Sequence, residues 1–300
     1  MRFKKIVCVL LISLLNTVNT YCNDSFNLYM DSISKKKTVF LAGGLGLGLV
    51  GGYYYANEIW WKSNTSNFHF DQGPDLTYAL NLDKMGHFLG GVITADAFSK
   101  SLKSIGLKES KSLIYATIFS SAIQLGIEVK DGYAPYWGFS KWDFMSGTLG
   151  SFWPLSKHYF SKLEGIDFKF SYFKNSNRYL ELETERGNEI NYIFWQDDYI
   201  NQTYWITFDV NHFIETCCWP KWMNLAIGIG IDDTQFLNHN DRKTGGQHEL
   251  YISLDYNLLK LLGQWNTPFA KKIKYWSDYF HFPAPAIRIA PKIDFYPLFL

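Results

Sequence analysis

The chain has little charge and almost no excess of either sign. Lys and Arg number 29 against 28 Asp and Glu in 300 residues, a net charge of +1, and charged residues make up 19%. That balance excludes a protein that holds nucleic acid by bulk positive charge. Cysteine is scarce, at four residues, and Cys217 and Cys218 are neighbours. Adjacent cysteines cannot build a framework of loop-closing disulfides. Long apolar runs are few, and a mean hydropathy of -0.14 excludes a chain that is mostly transmembrane. What is abundant is aromatic: 18% of residues, with 11 Trp, 20 Tyr and 24 Phe. Such an excess suits membrane interfaces or aromatic-faced sheets. Hydrophobic residues reach 47%, too many for long disorder.

The N-terminus reads as an address. Met1-Arg2-Phe3-Lys4-Lys5 is basic, Ile6 to Leu15 is apolar, and a polar stretch follows. This is the layout of a signal peptide spanning residues 1–22, and the apolar run is too short to cross a bilayer. Cleavage is expected before Asn23. Cys22 follows Asn19-Thr20-Tyr21, which lacks the Leu and small residues that lead into a lipidated cysteine.

Residues 38–57 are 20 in number and uncharged, with six glycines. The length meets the requirement for a spanning helix. Gly44, Gly48 and Gly52 share one helical face, where another helix could approach closely. Trp60 and Trp61 stand where an interfacial aromatic belt would sit. Lys35-Lys36-Lys37 before the segment would lie outside if the signal is cleaved, against the positive-inside tendency. Three readings stay open: a helix packed on protein or lying in an outer leaflet, a spanning helix, and a buried core helix.

Three further helices are predicted, over about 83–105, 109–130 and 140–160. Asp83 has the chemistry of an N-cap, and Gly106 and Gly132 are stops. Asp83, Lys84 and His87 open the first of these helices. Glu128 and Asp131 close the second, and Ser140 and Asp143 open the third. A short connection makes the first two antiparallel, so all seven residues meet at one end. Glu128 and Asp131 are acids at a helix C-terminus, which the helix dipole disfavours, so they need a cation or a helix N-terminus nearby. Each residue also has an ordinary reading: cap, capping box (Ser140-x-x-Asp143) or ion pair. His87, Glu128, Asp131 and Asp143 are the candidate metal ligands, with Asp83 as a further donor. The N/O mixture suits zinc or manganese better than calcium. No H-E-x-x-H motif is present, and no other cofactor is indicated.

Phe68-His69-Phe70, Asp83-Lys84-Met85-Gly86-His87-Phe88, Glu128-Val129-Lys130-Asp131-Gly132-Tyr133 and Trp137-Gly138-Phe139-Ser140-x-x-Asp143, followed by Gly147, resemble the YfiM-like family. That family comprises predicted periplasmic lipoproteins of unknown function, and the likeness spans about residues 40–165. Asp-Lys-x-x-His with a later Glu and Asp bears a weaker likeness to VanZ-type membrane proteins. Ser146 stands where relatives often have Asn. The resemblance implies location rather than a reaction.

From Asp167 onward alternation has period two, as in Tyr204 to Val210, Leu225 to Asp232, Leu250 to Tyr256 and Ala286 to Phe295. Antiparallel strands follow, too few for a closed outer-membrane barrel. Lys243-Thr244-Gly245-Gly246-Gln247 is expected at a flexible hairpin tip. The expected architecture is thus α+β: a membrane-associated bundle of about four helices within residues 23–165, then an antiparallel region over 166–300. The leading functional reading is an exported, membrane-associated envelope protein on the periplasmic side. It would bind membrane lipid or an envelope protein partner without catalysis, and no nucleic acid. The alternative is a membrane-surface hydrolase or transferase that acts on a lipid-linked or phosphorylated envelope precursor, with His87 as base or metal ligand.

Overall fold

A computed structural model describes residues 33–61, 65–187, 195–214 and 218–299. The expected signal peptide and Cys22 lie outside them. The protein is α+β, with its long helices in the first half and an antiparallel sheet in the second. Helix α1 spans Lys35–Trp60, α2 Leu82–Ser104, α3 Glu109–Asp131 and α4 Lys141–Tyr159. A short helix α5 (Arg178–Glu185) and the helix α6 (Pro268–Ser277) sit among the strands.

Helices α2, α3 and α4 form a tight trio joined through small residues. A Cβ on Gly150 would meet the Phe88 carbonyl oxygen at 1.9 Å, and one on Gly91 the Gly147 carbonyl oxygen at 2.1 Å. Only glycine allows backbones that close. Hydroxyls link the same region: Ser120 Oγ donates to the Gly91 carbonyl at 3.0 Å and Ser151 Oγ to Ser120 Oγ at 2.7 Å.

Helix α1 stands apart from this trio. It touches the trio at its ends, where Ser34 N–H donates to the Ile105 carbonyl and Ala56 and Trp61 pack with Ala134. Between those ends, no atom lies within 4 Å of a Cβ built on Gly43, Gly44, Gly46, Gly48, Gly51 or Gly52. Segment 38–57 is therefore not a buried core helix, and its glycine stripe meets nothing among the described residues. Phe40 is 86% and Leu47 78% exposed.

The polarity of α3 and α4 is inverted. α3 buries Ser112, Thr117, Ser120, Gln124 and Glu128 alongside Leu113 and Ala116, and exposes Ile114, Tyr115, Ile118 and Leu125. α4 buries Asp143, Gly147, Gly150 and Ser151 and exposes Trp142, Met145, Leu149 and Phe152. A helix on the surface of a water-soluble domain carries the opposite pattern.

Six strands form one sheet: β1 (Ile166–Tyr172), β2 (Gln202–Phe208), β3 (Met223–Ile231), β6 (His248–Tyr256), β7 (Ala284–Ala290) and β8 (Asp294–Phe299), hydrogen-bonded in that order and antiparallel throughout. β4 (Gln235–Leu237) and β5 (Lys243–Gly245) make a separate pair. Lys243 is thus in a strand and 4% exposed, not at a flexible tip, although Gly245 and Gly246 do take positive φ. Strand register puts Ile206, Ile227, Ile252, Ile287 and Phe295 side by side across five strands, each substantially exposed. The other face buries Trp205, Ala226 and Tyr251, together with Lys169, Asn224 and Asp255.

The two halves share a core. Leu82 and Leu89 of α2 pack with Phe170, Tyr204 and Ile231 of the sheet. Phe168 contacts Phe88 and Trp153 at ring distances of 4.6 and 4.9 Å. Asp96 of α2 accepts hydrogen bonds from Tyr275 and Tyr279, near the end of α6, at 2.6 and 2.5 Å.

Candidate functional site

The chain enters α2 through a strained turn. Ala79, Leu80 and Asn81 have φ of 45°, 50° and 66°, in the left-handed region that non-glycine residues seldom occupy. Three such residues in series persist only where the surroundings over-determine them. Asn81, not Asp83, is the N-cap, and it makes no side-chain cap bond. Asp83 lies inside the first turn and directs its carboxylate to Lys84.

Lys84 is the hub. Its Nζ lies 2.6 Å from Asp75 Oδ1, 2.8 Å from Asp83 Oδ2 and 3.0 Å from Asp143 Oδ1. Burial opposes the charge on Lys84, but the three carboxylates together hold its pKa above the usual lysine value. Burial alone would raise Asp75. Lys84 outweighs it and brings the Asp75 pKa below normal. Asp83 is pushed well up by burial and by Asp143. Asp143 is pushed up by burial against the pull of His87 and Lys84.

Ser140 caps α4, as Ser-x-x-Asp spacing predicts: its Oγ accepts from the Asp143 N–H at 3.1 Å. The same hydroxyl donates to Asp75 Oδ2 at 2.7 Å. The Ser140 N–H donates to Glu128 Oε2 at 3.1 Å. The N-terminus of α4 thereby receives the acid that the end of α3 disfavours. Glu128 is 1% exposed and its Oε1 has no hydrogen-bond partner. Oε1 lies 3.7 Å from His87 Nδ1, which also lies 3.4 Å from Gln124 Oε1. Burial, then the charges of Asp131 and Asp143, push the Glu128 carboxyl up to about 10.

Asp131 stands slightly apart. Its Oδ1 accepts from Trp61 Nε1 at 2.6 Å, and burial pushes its carboxyl up to about 7 despite that bond. Trp60 Nε1 donates to Asp197 Oδ2 at 2.7 Å. These tryptophans are thus hydrogen-bond donors to acids of the site, and the belt predicted from their position after segment 38–57 is not what they form.

All seven residues singled out in the sequence lie in this region. Asp83, His87, Glu128, Asp131, Ser140 and Asp143 line one cavity of about 110 Å³, and Lys84 contacts two of them behind its wall. That volume holds several waters or a small ligand group. Sequence reasoning missed Asp75, whose Oδ1 is the nearest carboxylate oxygen to Lys84. It also missed Asp71, close to Asp75 in the chain, and Asp197, Arg242 and Lys243, which complete the lining from distant segments. Ser146 is tied into the same helix pair, its Oγ donating to the Lys84 carbonyl at 2.6 Å.

Among the described residues, two sets of three could hold a metal ion: His87 with Glu128 and Asp143, and Asp75 with Asp83 and Asp143. In each set the ligand atoms lie within 4.8 Å of one another. Lys84 already fills the second set with its ammonium. His87 is partly buried and lines the cavity, whereas Ser140 Oγ is engaged as cap and as donor to Asp75.

A family model described as a predicted periplasmic lipoprotein family (DUF2279) matches residues 70–155. That segment contains Asp75 and all seven residues named above, while Trp60, Asp197, Arg242 and Lys243 come from outside it. The VanZ-type likeness has no such support. No curated protein and no solved structure matches the chain.

Proposed function

We propose that this protein, whose residues 70–155 match that family of predicted periplasmic lipoproteins, is an exported envelope protein that rests its apolar outer faces against membrane lipid. The match of residues 70–155 to predicted periplasmic lipoproteins supports the exported, envelope-associated location. The lipid contact rests on one observation, the inverted polarity of α3 and α4. Burying Ile118 or Leu149 in lipid removes from water side chains worth about 1.5–3 kcal/mol each when fully covered. The serines, Gln124 and Glu128 then face inward, away from hydrocarbon. Helix α1, with an uncharged 20-residue stretch and exposed Phe40 and Leu47, and the isoleucine row of the sheet offer further exposed apolar side chains. Fractionation tests this reading. The protein should stay with envelope membranes through a salt wash and leave them in detergent. Full recovery in the soluble fraction without detergent contradicts it.

A second reading is favoured by the cavity. A cavity wall of half-buried His87 with buried Glu128 and Asp143 suits hydrolysis or group transfer at a membrane surface, on a lipid-linked or phosphorylated precursor. His87 would act as general base or as a metal ligand.

A further inference from the structure

Acidic residues outnumber lysine and arginine around the cavity. Asp75, Asp83 and Asp143 share the single ammonium of Lys84, and Glu128 and Asp131 have no lysine or arginine within ion-pair distance among the described residues. Glu128 is the most telling member. One oxygen is fixed by the Ser140 N–H, and the other is fully buried, unpartnered and placed beside His87. A buried carboxyl oxygen left without a hydrogen-bond partner is costly, so native structures keep one only where something else completes it.

We propose that His87, Glu128 and Asp143 bind a divalent transition-metal ion, zinc or manganese, on the cavity side of Lys84. One imidazole and two carboxylates are the donor mixture such ions take, and a calcium site would use oxygen alone. Metal–ligand bonds of about 2.0–2.2 Å set neighbouring donors roughly 3–3.6 Å apart, so atoms already within 4.8 Å need only small side-chain shifts. Asp143 lies between the ion and Lys84 and screens the two cations from each other. The Ser140 N–H orients Glu128, the kind of outer hydrogen bond that metal-binding carboxylates carry. Three protein ligands leave a coordination position open to the cavity, where a water or a substrate oxygen would sit. This inference does not depend on lipid contact. If it holds, it supplies the ion that the hydrolase or transferase reading would use.

The test is metal content of the full chain, purified in detergent without an affinity tag, stripped with chelator, and dialysed against micromolar Zn²⁺ or Mn²⁺. Elemental analysis should return about one ion per chain. Co²⁺ in its place should give the visible absorption of a low-symmetry site with nitrogen and oxygen ligands. Glu128→Gln keeps the size of the side chain and, through its amide oxygen, the bond from Ser140. It should weaken binding at least about 10–100-fold, the loss that follows even from disturbing a residue that merely orients a ligand. Asp143→Asn and His87→Gln should do the same. Wild-type protein that retains no stoichiometric ion overturns the proposal, whatever the variants do. So does wild-type affinity in all three variants.

Discussion

The helical trio and the sheet both bury charge and expose apolar side chains, but they finish their interiors differently. Behind the sheet, Lys169 is 1% exposed and pairs with Asp255 at 2.9 Å and Asp278 at 3.3 Å. Its Nζ also donates to the Tyr256 carbonyl. His281 stacks on Trp205 at 3.9 Å and bonds the Leu254 carbonyl through Nε2. There a lysine and two acids are packed among aromatic rings. In the trio, Lys84 faces three acids and two more stand beyond it, and the group opens on a cavity. Both places hold more acid than lysine, two acids to Lys169 behind the sheet and three to Lys84 in the trio, but the first is closed by packing and the second faces a cavity lined by further acids. The difference to read for function is therefore not how many charges are buried but how far acid exceeds lysine and what space the acids face.

The largest expected effect separates the two interiors. Lys169→Met leaves Asp255 buried and unpaired and should cost about 3–5 kcal/mol, read by denaturant titration in detergent. Adding Asp255→Leu should restore much of that loss, because a buried pair replaced by apolar groups is often neutral. Lys84→Met should cost a similar amount, but adding Asp83→Leu should restore little, since Asp75 and Asp143 remain. Equal rescue in both places would erase the distinction drawn here.

A pH effect of middle size belongs to the sheet. Burial, against the opposing effect of the bond that Nε2–H donates to the Leu254 carbonyl, pushes the His281 pKa down to about 4 from an unfolded value of about 6.5. The folded state then holds His281 neutral, so its contribution to stability is complete above about pH 6.5 and falls as the pH drops from there towards 4. The loss contributed by His281 approaches about 3 kcal/mol at the lower end. His281→Gln should flatten that part of the stability–pH curve. An unchanged curve would show that the stacked histidine is not the group that titrates.

The smallest effect concerns the glycine stripe. Read from the sequence, Gly48→Leu should disturb a close helix contact. In the structure a side chain at Gly48 meets nothing among the described residues, so the substitution should change folding stability by about 1 kcal/mol or less, within the range set by helix propensity.

Much of the site is legible in the sequence because it is local. Gly106, Gly132 and Ser140 mark where helices stop and start, and a short connection forces α2 and α3 to be antiparallel. From that alone Asp83, Lys84, His87, Glu128, Ser140 and Asp143 have to meet. Asp75 is not legible, because it lies in an irregular turn whose path depends on the left-handed residues 79–81. Asp197 and Lys243 arrive from the sheet region through long-range packing that no spacing encodes. Trp60 and Trp61 mislead because their position after an apolar stretch suggests lipid, whereas their indole N–H groups serve Asp197 and Asp131. The expectation of about four bundled helices places α1 in the bundle, and the structure does not. Helical periodicity reports which residues share a face but not whether another helix covers it.

The central claim is that apolar side chains of both halves face lipid while their charges turn inward. Nitroxide labels at Leu149→Cys and Ile252→Cys, in a background with the native cysteines replaced and in vesicles of bacterial phospholipid, test it most directly. The account predicts collision with dissolved oxygen well above collision with a water-soluble nickel chelate at both positions. A label at Lys111→Cys should give the reverse. Chelate accessibility at Leu149 and Ile252 equal to that at Lys111 would contradict the account.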